Sequence, residues 1–527
     1  MFGIIYTNNS LGVVIAMKTV RILKMINPTP EIRSNLDALM QKFSSAKRYA
    51  FKRLLEGYEP NDLNKTIPVM FRLNKRYTED AVMLAKGIIE SQKKLLPLHL
   101  EDIRAKIVKT QKKIKAYETG KKRPKKCDLS TCLTGLNNRL NKLLAKEQVL
   151  QDHIEKDTIP SVIFGGKGNF FARMKGKITN EEWKDLRSNQ LYSRGDKTKK
   201  GNLNIRLVYE NDKTYIQIAD PLHMTGSGRS PRIKAEVKLP EKYLNEIADI
   251  FLPDENGICT PYTIQLKRKE GEYYLHLTYE EETPGKELKW DNAINADLIA
   301  GIDTNIDRVA VTILTRQGNF KKSKVFYCHE MEYVSSNKRH NLSGELAKEI
   351  INFLLTENVG AVVLENLKFA QNHDTNKKFN RLTHNFTRNK TVNNIVRRAL
   401  RNGFQIKKVN PAYTSVIGRF KYSKRYGLSI HEAAALVIGR RGLMYDEKLP
   451  RELLAFVQKR IKPHLISLVG SMEETEKQSD AGKIKLKYFM ILIKNIQHFK
   501  KHHLWKIWNV VNKTIEYKYY QLIMKEV

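Results

Sequence analysis

Apolar and basic positions alternate over residues 18–25, the period of a half-buried strand, and Pro28 and Pro30 end it. From Glu31 to Glu56 the apolar residues Ile32, Leu36, Leu39, Met40, Phe43 and Ala46 recur at helical spacing. Two more long helical patterns follow, over about 78–118 and 128–156. A basic loop, Lys121 to Lys126, joins them and reads equally well as a phosphate contact or a solvated turn. Residues 159–202 are rich in Gly, Lys and aromatics, including Phe164, Phe170 and Phe171. The spacing is wrong for a P-loop, which leaves a glycine-rich loop with buried aromatics or a close approach to nucleic acid. From about 203 the period changes to two. Leu203, Ile205, Leu207 and Tyr209, a turn at Asn211-Asp212, and a return over Tyr215–Ala219 make one hairpin. Tyr262–Leu266 and Tyr273–Tyr279, joined at Glu270-Gly271, make a second. The chain therefore predicts a β domain into which a helical block is inserted.

The pattern over 298–442 is the most ordered. Ile299–Ile302 enters a strand ending at Asp303, Arg308–Leu314 alternates as a second, and Lys324–Cys328 is a short third. A helix over 344–358, a continuous apolar run Val359–Glu365, a helix near 389–402, a strand Phe404–Val409 and a helix Ser429–Arg441 complete it. The order β-β-β-α-β-α-β-α is that of the RNase H-like fold. Asp303 and Glu365 each close an apolar strand, and an unpaired carboxylate there is expensive. A divalent metal would satisfy both, and Mg²⁺ suits hard carboxylate oxygens. Two such metals would activate water and stabilise the leaving oxygen of a phosphodiester. The alternative is that each acid caps a helix or pairs with a Lys or Arg. The fold expects a third acid early in the last helix. Glu432 is the candidate, but Ser429-x-x-Glu432 is also a capping box. His431 is a candidate ligand or base, or a solvent-facing residue.

Composition then narrows the class. The chain has 527 residues, 41% hydrophobic, enough to bury cores and exclude global disorder. A net charge of +38 points to a polyanion, nucleic acid before an anionic membrane. No apolar run approaches the ~18 residues of a membrane span, and no charge precedes Lys18, so no signal peptide is expected. Met17, where the regular pattern begins, is an alternative start. Cys127, Cys132, Cys259 and Cys328 are scattered, with no disulfide framework or zinc spacing, as in a reducing cytoplasm.

Several short motifs resemble the TnpB family, the transposon-encoded RNA-guided nucleases ancestral to type V CRISPR effectors. Arg21-Ile22-Leu23, Pro28-Thr29-Pro30-Glu31 and Ala46-Lys47-Arg48-Tyr49-Ala50 look like its N-terminal strand and first helix. Gly301-Ile302-Asp303-Thr304-Asn305-Ile306 resembles its first RuvC motif and Val362-Val363-Leu364-Glu365-Asn366-Leu367 the second. Val409-Asn410-Pro411-Ala412-Tyr413-Thr414-Ser415 resembles the signature before the third and is the most specific. Two departures stand out. Val416–Leu428 is 13 residues without Cys, so the family's zinc module looks deleted and no zinc is expected. The family's third catalytic Asp aligns with His431.

The resemblance implies an α+β multidomain protein. Its parts would be a wedge strand within 1–27, a helical recognition domain over 28–160 and the rest of a β-barrel wedge over 161–294. A RuvC-like domain over 295–445 and a basic helical segment over 446–527 would follow. It implies an RNA-guided DNA endonuclease with catalytic Asp303, Glu365, Glu432 and His431 and a two-metal Mg²⁺ site at Asp303, Glu365 and Glu432. The alternative is a nuclease-dead RNA-guided DNA-binding regulator. The implied partners are a guide RNA and double-stranded DNA bearing a short adjacent motif, bound by a monomer in the bacterial cytoplasm, near the nucleoid. Arg397, Arg398 and Arg401 read as a phosphate contact or a solvated helix face. In the C-terminal segment Trp505, Trp508, Tyr517, Tyr519 and Tyr520 interleave with or follow Lys483, Lys485, Lys487, Lys500–His503 and Lys506. RNA stacking and core packing are equally open there.

Overall fold

A computed structural model describes residues 4–6, 15–124, 127–224, 230–251, 259–305, 307–366, 387–472, 474, 479–499 and 504–514. The chain divides into two compact units, one built mainly from Met17–Glu281 and one mainly from Glu282–Val527.

In the first unit the strands follow the order Gln190–Ser193, Tyr262–Lys269, Glu272–Glu282, Ile15–Met25, Arg232–Lys238, Lys213–Ala219 and Ile205–Glu210. Burial alternates along residues 262–267 and 272–279, so one sheet face is apolar and one is wet. The sheet curls until the Tyr262 hydroxyl accepts a hydrogen bond from the Leu207 amide at 2.9 Å. Among the described residues the two end strands do not pair through their backbones, so side chains rather than a ladder bridge the ends of the expected barrel. Between the strand Ile15–Met25 and the rest of the sheet the chain makes helices Pro30–Leu55, Pro60–Phe71, Lys75–Glu118 and Leu129–Glu155. Thr29 caps the first of these, with Pro30 at its opening position, where the missing N–H goes unmissed. Its apolar stripe, including Leu36, Met40 and Phe43, is buried in one cluster with Leu191, Leu266 and Leu275 of the sheet. Phe164 of the glycine-rich segment packs edge-on against Phe51, the bland reading of that residue, while Phe171 stays 49% exposed. Lys121, Lys122 and Arg123 are exposed; Lys125 and Lys126 lie outside the described residues.

The second unit holds a six-stranded sheet in the order Phe320–Tyr327, Arg308–Thr315, Leu298–Thr304, Ala361–Glu365, Gln405–Val409, Lys286–Leu288. The first three strands are antiparallel; Leu298–Thr304, Ala361–Glu365, Gln405–Val409 and Lys286–Leu288 run parallel. This is the RNase H-like order, with one strand added. That added strand, Lys286–Leu288, falls in the stretch expected to belong to the β domain. It pairs with Gln405–Val409 from Gln405 opposite Lys286 to Lys407 opposite Leu288, and a Lys408–Glu287 ion pair at 2.7 Å links the two strands.

The helix Ile430–Gly442 lies on this sheet. The contact is close because it is made of glycines: a Cβ on Gly301 would sit 1.9 Å from the Ala435 carbonyl oxygen. One on Gly439 would meet Leu314 at 2.4 Å, and one on Gly442 would meet Val363 at 2.5 Å. Gly301 therefore faces Ala435 and Gly439, which lie four residues apart on one helix face. The C-terminal helices share this core. Leu453, Val457, Phe489 and Trp508 are buried in one cluster with Leu436 and Val437. Trp508 is fully buried and donates its indole N–H to the Glu447 carbonyl at 2.6 Å, so at this residue packing, not RNA stacking, is what the structure shows. Tyr517, Tyr519, Tyr520 and Lys500–His503 lie outside the described residues.

Candidate active site

Asp303 and Glu365 end adjacent parallel strands whose register pairs Ile302 with Leu364. The next step along each strand brings Asp303 beside Glu365, roughly one strand spacing of ~4.8 Å apart at the backbone. Side chains alternate across a strand, so Asp303 shares a face with Gly301, and Glu365 with Val363. Gly301 and Val363 both face the helix Ile430–Gly442. The two carboxylates thus project from one edge of the sheet, on the face covered by that helix.

The same contact fixes which helix residue reaches them. Ala435 and Gly439 lie against Gly301, and His431 continues that row by one turn. The His431 Nδ1 is 2.9 Å from Asp303 Oδ2. Asn305 donates from Nδ2 to the same Oδ2 at 2.9 Å, and this nitrogen is 3.0 Å from His431 Nδ1. Both contacts fall on Nδ1, whose role as donor or acceptor follows the tautomer, and neither involves Nε2. Asp303 is nearly buried, its side chain 9% exposed, whereas His431 is 37% exposed.

Glu432, one residue on, is turned by about 100° around the helix axis. It completes the capping box, accepting from the Ser429 amide at 3.0 Å and the Ser429 hydroxyl at 2.6 Å on Oε2. Its Oε1 accepts from the Ser323 hydroxyl at 2.7 Å. Burial would raise its pKa, but these hydrogen bonds prevail and hold the carboxyl below the usual range. Both oxygens of Glu432 are thus engaged elsewhere, and it is His431, not Glu432, that contacts Asp303, with Glu365 ending the neighbouring strand.

Glu365 has its own support, which came from residues quoted in the signature motif but not singled out. The Thr414 hydroxyl donates to Glu365 Oε1 at 2.7 Å. Tyr413, just before it, has φ 62°, a left-handed conformation unusual for an aromatic residue. The Asn410 side chain accepts from the Ala412 amide at 2.9 Å and tightens the same turn. Arg441 reaches the turn from the helix, donating to the Ala412 carbonyl at 3.0 Å and to the Asn410 carbonyl. Burial lowers the Arg441 pKa, against the opposing pull of Glu365 and Glu447. Asn305 was likewise part of a motif without being named as a site residue. The side chains of Arg397, Arg398 and Arg401 are partly buried rather than fully solvated, and burial beside Arg401 lowers the Arg397 pKa.

As a metal site the donor set is short. Among the described residues no group of three or more His, Cys, Asp or Glu side chains is gathered to hold a metal. Two hard carboxylates on neighbouring strand ends do fit one Mg²⁺, which is commonly held by one or two carboxylates with water and substrate phosphate completing its shell.

The strand order defines the class of the second unit: an RNase H-like fold. The chain belongs to the family described by the SSO2105 N-terminal domain, whose model matches residues 22–286. That match falls almost wholly on the first unit. The uncharacterized protein SSO2105 of Saccharolobus solfataricus is 25% identical over 263 residues, 48% of this chain and 67% of the relative. Among solved structures, Thermus thermophilus RuvC is 14% identical and covers 27% of this chain and 92% of its own, with a TM-score of 0.21. A Cas12f1–sgRNA–target DNA complex is 14% identical over 80% of this chain and 99% of its own, at 0.21. A Cas12i–crRNA complex is 10% identical over 95% and 93%, at 0.37. These superpositions are loose, and the strand order is what defines the fold. No helix among the described residues is long and apolar enough to cross a membrane.

Proposed function

We propose that the protein is an RNA-guided, metal-dependent DNA endonuclease of RuvC-like type, with its nuclease centre at Asp303 and Glu365. The observation that supports this reading is the His431–Asp303 contact at the end of a strand that runs parallel to and beside the one ending at Glu365. Mg²⁺, when bound, would supply activation of water and stabilisation of the leaving phosphodiester oxygen. Asp303 and Glu365 would hold it. Asn305 orients the first carboxylate and Thr414 the second. His431 takes the place of a third acid, as a ligand or as the group that moves a proton at Nε2. With Glu432 engaged in its cap, a single metal held by two carboxylates suits the residues better than the three-acid, two-metal arrangement. The guide RNA and the double-stranded target with its adjacent motif rest on the resemblance to TnpB and on the +38 charge.

The test begins with sequencing RNA that copurifies with the protein from its own locus. A matched plasmid is then incubated with Mg²⁺ and either wild type or Asp303→Ala. A defined RNA and Asp303-dependent cutting support the proposal. The absence of the third acid favours a second reading, a nuclease-dead guided DNA-binding protein. A defined RNA with tight target binding and no cutting in Mg²⁺ or Mn²⁺ would select that reading.

A further inference from the structure

The hairpin that follows Asp303 carries an exposed aromatic stack on the same face as the carboxylates. Asp303 pairs with Ala310, and Arg308 pairs with Tyr327. Directly paired residues share a face, so Arg308 and Tyr327 lie on the Asp303 side. The Asn305 amide bonds to the Arg308 carbonyl at 2.9 Å, which makes Asn305, Arg308 and Tyr327 the next row beyond Asp303. Two strand spacings, about 10 Å, separate Tyr327 from Asn305 along that row.

Tyr327 is 60% exposed although its ring is organised. The His329 ring stacks on it with centroids 5.4 Å apart and an interplanar angle of 23°. The Arg308 guanidinium lies 5.5 Å from the tyrosine centroid. Arg308 is fixed by a fork onto Asp307, at 3.1 and 2.6 Å, and the Asp307 carbonyl accepts from the Cys328 amide at 2.7 Å. An isolated exposed tyrosine would be ordinary. A stacked pair beside a clamped guanidinium, one row from the carboxylates, is a surface of the kind on which a nucleobase stacks.

We propose that Tyr327 and His329 form a base-stacking platform for single-stranded DNA entering the Asp303–Glu365 site. This deepens the nuclease reading and rests on it. The platform positions the strand and takes no part in the chemistry. Because aromatic stacking is tolerant of sequence, it would hold any base, in keeping with a site whose specificity comes from elsewhere.

The test uses the full chain without divalent metal, so that binding is read independently of cleavage. A fluorescein-labelled oligothymidylate is titrated at raised salt, where the phosphate contribution falls and stacking persists. Tyr327→Ala is expected to weaken binding about fivefold or more, and Tyr327→Phe to stay within about twofold of wild type, since stacking needs the ring and not the hydroxyl. His329→Ala, at a side chain 66% exposed, provides a second variant that leaves the fold alone and is expected to show a smaller loss. Equal affinities for wild type, Tyr327→Ala and His329→Ala would overturn the proposal even if the protein cuts DNA. Tyr327 dependence with oligouridylate but not oligothymidylate would overturn it as a DNA platform. Loss on Tyr327→Ala in a protein that proves unable to cut would uphold the platform and remove the nuclease.

Discussion

Each unit of the molecule buries an aspartate, and the two are treated differently. In the first unit Asp80 is fully buried, and Arg194 answers it twice, with its amide at 3.2 Å and its guanidinium at 3.1 Å. Arg194 is in turn held by Glu79 at 2.7 Å, and Arg76 reaches both Glu79 and Asp196. These ion pairs tie the helix Lys75–Glu118 to the segment around Arg194 inside one unit, although Asp80 Oδ1 and Arg194 Nε form no hydrogen bond. In the second unit Asp303 has a side chain 9% exposed, and among the described residues it is bonded by the Asn305 amide and the His431 imidazole, not by a fixed cation. Under the proposed function, a carboxylate at the end of a buried strand with these neighbours would receive a cation from outside. Under the proposed function, the difference separates a charge that holds the fold from one that serves chemistry.

The largest expected effect follows from that contrast. Asp303→Ala should lower guided cleavage on the order of 10³-fold, while target binding and the thermal midpoint change little. Supercoiled-plasmid cleavage beside a filter-binding assay would show it. Loss of binding together with cleavage would place Asp303 with Asp80 among the structural charges.

Asp80 supplies the opposite signature. Burial pushes its pKa up to about 7, despite the opposing amide and charge of Arg194. The folded state then holds a proton that the unfolded chain releases near pH 4, so between about pH 4 and 7 the folded state binds more protons. Stability from this group therefore falls as pH rises through that window, by at most ~1.4 kcal/mol per pH unit. Denaturant midpoints of wild type and Asp80→Asn, compared at pH 5 and pH 7.5, should differ in slope. Parallel pH dependences would show that the arginines keep Asp80 ionised throughout.

Gly301→Ala tests the packing that sets the site's geometry. Its Cβ would lie 1.9 Å from the Ala435 carbonyl oxygen, against helix backbone that has no rotamer to change. A loss of about 3 kcal/mol is expected in the second unit. A variant that folds with unchanged stability would mean that the helix can retreat from the sheet, and the His431–Asp303 contact with it.

Much of this arrangement was legible in the sequence. The strand ending at Asp303 and the apolar run ending at Glu365 lie where the pattern put them, because buried parallel strands leave continuous apolar runs. The three-residue strand Lys286–Leu288 was not legible, since a segment so short has no period to read. Thr414 stood in a quoted motif, but its role depends on the left-handed Tyr413 turn, which no periodicity signals. Nor could the sequence tell Trp508 in the core from Trp508 at an RNA surface, because an amphipathic basic helix serves both.

The choice between His431 and Glu432 is the case where one residue of helical phase decides the chemistry. Residue type favoured Glu432, an acid where the fold expects one. The capping box argued against it, and the glycine contacts turn the row His431, Ala435, Gly439 toward Asp303. His431→Ala should therefore lower cleavage by about 10²-fold with little change in stability. His431→Asp, which restores an acid at the same helical position, should retain more activity than the alanine variant. Glu432→Gln should do the reverse: cleavage within a few-fold of wild type, and a stability loss of about 1 kcal/mol or less from the weakened cap. Single-turnover cleavage rates and thermal midpoints for the three variants separate the roles. A Glu432→Gln protein of normal stability that no longer cuts would return Glu432 to the metal and show that its cap opens when the cation binds.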